Sequence, residues 1–192
     1  MKLRALVALS AIALAGCGDS TEPDASTLSF TYTGAGSASA TNFSVSGIIP
    51  PNLSQMNSLG TTAWAAGGVE PTFNYSSIFG VSPVNSTTWD ITGIGVTRKT
   101  VGTSPIDPNC DSEATDCTGV FLFLGFETDG DNFERICGLT SGSVTITSIS
   151  DTRMAGTFSG SGVCTDVNFV DTPFAITNGK FDVLLSSQLL LN

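Results

Sequence analysis

The chain has no histidine. That excludes Ser-His-Asp and Cys-His catalysis, since both need an imidazole to take the nucleophile's proton. Zinc is also disfavoured, because no C-x-x-C spacing accompanies the missing His. The Gly-x-Ser-x-Gly elbow is absent too; neither "GTSP" nor "SGSG" completes it. No motif sets a Ser beside Lys99 or Lys180. Bases are scarce: 7 Lys and Arg stand against 17 Asp and Glu, for a net charge of −10. Phosphate recognition runs on Lys and Arg, so nucleic acid is not an expected partner. Charge alone should not hold the chain on anionic lipid either. With 2 Trp and 2 Tyr, little is available for stacking on sugar. Finally, no apolar run is long enough to span a bilayer as a helix, which needs about 20 residues.

What is present begins at the N-terminus. Lys2 and Arg4 precede an apolar run, Ala5 to Ala15, broken by one Ser. The run ends in Leu14-Ala15-Gly16-Cys17. A basic start, a short apolar stretch and small residues before a cleavage point read as an export signal. The ending resembles a bacterial lipobox. That resemblance covers residues 1–17 only. It implies diacylglycerol transfer to the Cys17 sulfur, cleavage before Cys17 and acylation of the new amino group. Two or more acyl chains make membrane attachment lasting where one is marginal. Cleavage would remove both Lys2 and Arg4, leaving 5 bases against 17 acids and a net charge of −12. In lipoprotein sorting signals, Asp directly after the Cys favours the inner membrane; here that position is Gly18, so the outer membrane is expected. Residues 17–27, with "GDSTEPDAST" after the Cys, read as a polar tether. Residues 28–192 read as one domain, of ordinary size for a single core.

If Cys17 carries lipid, the other cysteines become an even set: Cys110, Cys117, Cys137 and Cys164. In an oxidising envelope, four cysteines suggest two disulfides, with three connectivities open. The favoured pairing is Cys110 with Cys117, closing the polar loop "CDSEATDC", and Cys137 with Cys164. The second follows from a hairpin. If "SVTITSIS" pairs with "RMAGTFSG" about Asp151-Thr152, facing residue numbers sum to roughly 302. Cys137 and Cys164 sum to 301.

The rest of the chain alternates short runs of Phe, Val, Ile, Thr and Tyr with Gly, Asn, Asp, Pro and Ser. This is the texture of an all-β domain. Strands are expected over 27–34, 41–48, 61–67, 73–81, 88–98, 119–127, 132–139, 142–150, 153–163, 173–178 and 180–186. Asp129-Gly130 and Asn178-Gly179 are tight-turn signals. Residues 103–117 read as a polar excursion. Val120 to Phe126 is nearly all apolar, so its strand should be covered on both faces. About ten strands imply an antiparallel β-sandwich or a small closed barrel. The strands are too short and too rich in Ser and Thr for a membrane barrel. In the C-terminal half, Gly142, Val144 and Ile146, then Gly156, Thr157 and Phe158, then Asn178, Gly179 and Phe181 resemble the closing strands of uncharacterised β-sandwich lipoproteins. That resemblance spans about 45 residues and brings no chemistry with it.

Paired carboxylates are the only catalytic chemistry left, with Asp90, Glu127 and Glu134 as candidates for a glycosidase-type pair. Acidic stretches also raise Ca²⁺: Glu127, Asp129, Asp131 and Glu134 in one, Asp107, Asp111, Glu113 and Asp116 in the other. Neither matches an EF-hand loop. The expectation is therefore a lipid-anchored, non-catalytic envelope module without cofactor. It would bind an envelope protein or glycan, or serve structurally. A carboxylate hydrolase and a Ca²⁺-stabilised surface domain are the alternatives.

Overall fold

A computed structural model describes residues 25–49, 63–69, 74–110, 117–127 and 132–186. Cys17, the export signal, most of the tether and the Asp129-Gly130 turn lie outside the described residues. So do Asp111, Glu113, Asp116 and Asp131.

The described residues form ten strands and no helix: β1 (Ser26–Gly34), β2 (Ser37–Gly47), β3 (Trp64–Val69), β4 (Ser76–Pro83), β5 (Thr88–Val96), β6 (Gly102–Pro105), β7 (Gly119–Glu127), β8 (Arg135–Ile149), β9 (Arg153–Asp166) and β10 (Asp171–Leu184). The expected antiparallel all-β domain is what forms. Its two layers are the arms of one continuous sheet, in the order β2-β1-β10-β9-β8-β7-β5-β4-β3, with β6 on β8. The sheet curls until β1 and β2 pack against β3 and β4, nearly closing a barrel. Beyond β10, Ser186 N donates to Gly67 O at 2.8 Å and ties the chain to β3.

Alternation sets the interior. Leu28, Phe30 and Tyr32 of β1 point inward, as do Val120, Leu122 and Leu124 of β7 and Val144 and Ile146 of β8. Phe30 stacks on Phe43 at 4.8 Å between centroids and meets Phe158 edge-on at 5.6 Å. Ser and Thr fill many of the outward positions of β8 and β9. An apolar inside under a polar outside is the inverse of a lipid-embedded channel barrel. A second apolar cluster, Trp64, Ala66, Val81 and Trp89, lies on the other face of β3, β4 and β5. β7 is interior to the sheet, between β5 and β8. Its outer face is half-buried at Phe121 and Phe123 rather than fully covered.

Four expectations need correcting. Asn178-Gly179 is not a hairpin turn. β10 runs straight through it, and Asn178 (φ 56°) occupies a bulge where the register against both β9 and β1 slips. An Asn tolerant of the left-handed region serves a bulge as readily as a turn. Likewise 132–139 and 142–150 merge into one strand, β8 (Arg135–Ile149), which carries a bulge between Leu139 and Ser141 and has Gly142 at φ +120° rather than a break. The polar excursion contains β6, which pairs Gly102–Pro105 with Ser143–Ile146. The domain also begins slightly early, since Ser26 is already buried in β1.

The β8–β9 pairing explains the cysteine register. Near the turn, Ile149 faces Met154, a sum of 303. After a bulge between Ile146 and Ser148 the sum becomes 302, as at Thr145 and Thr157. A second bulge between Leu139 and Ser141 lowers it to 301, which sets Cys137 opposite Cys164. Their Cα atoms are 3.9 Å apart and the sulfurs are bonded. Cys110 and Cys117 are bonded as well, with Cα atoms 5.6 Å apart.

Candidate functional site at the barrel mouth

The turns β1–β2, β4–β5 and β9–β10 open on the same end of the barrel as the β7–β8 connection. Here β5 and β7 fall out of register between Trp89 and Ile91. The cause is a bulge at Gly125, whose φ of +66° suits glycine. The bulge turns the Gly125 N–H toward Asp90, and Asp90 Oδ1 accepts it at 3.0 Å. A Cβ at Gly125 would meet Glu134 Cγ at 2.5 Å, so the glycine also makes room for the Glu134 side chain. Glu134 N donates to Leu124 O at 2.8 Å and Glu127 N to Asn132 O at 2.9 Å, closing the base of the β7–β8 hairpin.

The mouth is a cavity of about 510 Å³ lined by Tyr32, Ala35, Val84, Asp90, Glu127, Glu134 and Arg135, among others. A second hollow of about 510 Å³ adjoins it, sharing Gly125, Glu127, Glu134 and Arg135 and reaching Asp166 and Val167. All three carboxylates singled out in the sequence, Asp90, Glu127 and Glu134, thus come to one site. Burial pushes the Asp90 carboxyl above its ordinary range and the charge of Glu134 pushes it further, against the pull of the Gly125 N–H. Tyr32 is raised as well, by burial first and by Asp90 second. Arg135 Nη1 is buried and has no hydrogen-bond partner among the described residues. The site therefore offers an unspent N–H donor, a carboxyl that holds its proton longer than usual, and a phenol. That set suits an uncharged or mixed-polarity ligand rich in oxygen and nitrogen.

Arg135 and Tyr32 were missed by the sequence reading, although a signal existed. Once Cys137 is placed inward, a period of two turns Arg135 inward as well. Tyr32 follows Leu28 and Phe30 at the same period. The two Trp residues do not serve the site: Trp64 and Trp89 are buried in the second apolar cluster. Of the two acidic stretches, the described Asp107 does not come near Glu127 or Glu134. Asp107 N bonds Thr118 O beside the start of β7, while Glu127 ends that strand, nine residues on. Asp107 Oδ1 is engaged locally, accepting Asn109 N at 2.9 Å. No cluster of metal-ligating side chains occurs among the described residues.

Comparison with protein-family models, with curated proteins and with solved structures finds no match to this chain.

Proposed function

We propose that the protein is a cell-envelope lipoprotein, anchored through Cys17, whose β domain is a non-catalytic binding module. The observation that carries the reading is polarity of placement. Ala25, the first described residue, sits at the end of the barrel opposite the mouth. It is held there by Arg153, whose Nη2 donates to Ala25 O, and by Ser26 Oγ, which accepts Leu184 N at 2.8 Å. A lipid on Cys17 would hold that end to the membrane and turn the mouth outward, with its cavity and unspent Arg135 donor. The tether, the missing histidine and the lipobox-like ending support the same view. Gly18 after the Cys supports placement in the outer membrane of a host that has one.

The anchor is tested by intact mass of protein extracted from membranes. The expected mass is that of a chain beginning at a lipidated Cys17, and Cys17→Ser should release the protein from the membrane fraction. An unmodified chain starting at Met1 would refute it.

A second reading, a carboxylate hydrolase, is favoured by one observation: Asp90, with its raised pKa, shares the mouth with Glu127 and Glu134. Glycoside substrates separate the two. A binding module gives no turnover. Turnover that falls at least 100-fold in Asp90→Asn or Glu134→Gln would establish the hydrolase instead.

A further inference from the structure

The tip joining β9 to β10 reads Asp166-Val167-Asn168-Phe169-Val170-Asp171. Hairpin tips are ordinarily polar, because they stand in water. This one places Phe169 at 88 % exposure, Val167 at 62 % and Val170 at 54 %. The tip is not loosely hung. Asp166 Oδ1 accepts Asn168 N at 2.9 Å and Val170 N at 3.0 Å. Phe169 N donates to Asp166 O at 2.9 Å, and Asp166 N donates to Val170 O at 3.2 Å. These bonds hold Phe169 at φ +59°, a conformation that a bulky residue avoids unless its surroundings impose it. A backbone already held in place loses little freedom on binding.

We propose that this tip is a docking wedge for a protein segment that carries a cationic side chain beside an apolar one. The proposal rests on the reading of the domain as a binding module. Charge selects the occupant. Asp166 and Asp171 flank the three apolar side chains, and the adjoining hollow sets Glu127 and Glu134 against one cation, Arg135. An anionic bilayer is repelled by that rim, and so is a second copy of a chain of net charge −10. A segment whose Lys or Arg enters the acidic hollow can lay its apolar neighbour on Phe169 and Val167. Three apolar side chains cover far less than the roughly 800 Å² per partner of a standard interface, so the engagement is weak and peptide-like.

The test uses the full-length protein in detergent and three labelled peptides read by fluorescence anisotropy. The first is Lys-Leu-Phe-Lys-Leu, the second has Glu for Lys, and the third has Ser for Leu and Phe. The first should bind at least tenfold more tightly than the other two, and its affinity should fall as salt rises from 50 to 300 mM. Phe169→Ser should weaken it at least tenfold. Val101→Ser, which alters an exposed Val on a different loop, should not. Circular dichroism shows whether each variant folds, and Phe169→Leu, which keeps an apolar tip, should retain most of the binding. Equal binding of the first and third peptides with no effect of Phe169→Ser would overturn the wedge, as would no saturable binding of any peptide. Two further outcomes would replace the occupant. One is Phe169-dependent sedimentation of the Cys17→Ser chain with phosphatidylcholine vesicles; the other is self-association that Phe169→Ser abolishes. An unlipidated Cys17, or turnover at the mouth, would defeat the proposed function and leave the peptide results standing.

Discussion

Thr92 lies on the inner face of β5, fully buried, and its hydroxyl has no hydrogen-bond partner among the described residues. An unpaired buried hydroxyl costs about 1–3 kcal/mol, and valine has nearly the same shape. Thr92→Val should therefore raise stability by about 1 kcal/mol, read as a higher denaturation midpoint at unchanged m-value. Asp90 gives a pH signature. Its raised pKa means that the native state holds a proton that the unfolded chain has already released. Stability from this group thus falls as pH rises from the ordinary carboxylate range through the raised value. Asp90→Asn removes that loss and keeps an oxygen for the Gly125 N–H. It should melt higher than wild type at pH 7, with the gap closing below about pH 4. Asp166 runs the other way. The N–H of Val170 first, then that of Asn168, holds its carboxyl below the ordinary range. Its contribution is present above the ordinary range and is lost as pH falls through the lowered value. The tip should loosen in acid, seen as faster amide exchange at Asn168 and Val170 after allowance for the intrinsic pH dependence of exchange.

At the scale of elements, the two disulfides differ in access. Cys137 and Cys164 are completely buried under the β8–β9 ladder, whereas Cys110 and Cys117 are partly exposed. Mild reduction of the native protein should release thiols at Cys110 and Cys117 alone, with Cys137 and Cys164 labelled only after unfolding. Replacing both Cys137 and Cys164 by Ala frees a loop with a sequence separation of 27 and should cost about 3.5 kcal/mol on chain-entropy grounds. The elements also show what the sequence could and could not tell. The Cys137–Cys164 register was legible because both flanking strands alternate cleanly and the turn at Asp151 is marked. The fusion of 132–139 with 142–150 was not, since Ser141-Gly142-Ser143 looks the same as a loop or as a bulged strand. Asn178-Gly179 misled for a similar reason: its chemistry specifies a positive φ, and both a turn and a bulge need one. β6 was hidden because a four-residue edge strand ending in Pro105 carries almost no periodic signal.

At the scale of the whole molecule, the all-β class could be read from composition, but the curl of one sheet could not. Curling depends on long-range meetings, such as Gly67 with Ser186, that leave no mark in local sequence. The site was half legible. Asp90, Glu127 and Glu134 were the right acids, yet nothing in their spacing placed Asp90 of β5 beside the β7–β8 connection. That depends on the bulge at Gly125. Of the alternatives to the proposed function, a Ca²⁺-stabilised domain predicts a lower melting temperature in chelator. The binding-module reading predicts no shift.

β1 and β10 are neighbours, and Ala25 leaves the barrel at the end opposite Phe169. A pull between the tether and the tip would enter along β1 and leave along β10. It would load their ladder lengthwise, so that the hydrogen bonds from Thr27 to Gly34 share the force at once instead of opening one by one. The domain is strung to resist tension along that line, and peeling β2 from the sheet should take a far smaller force.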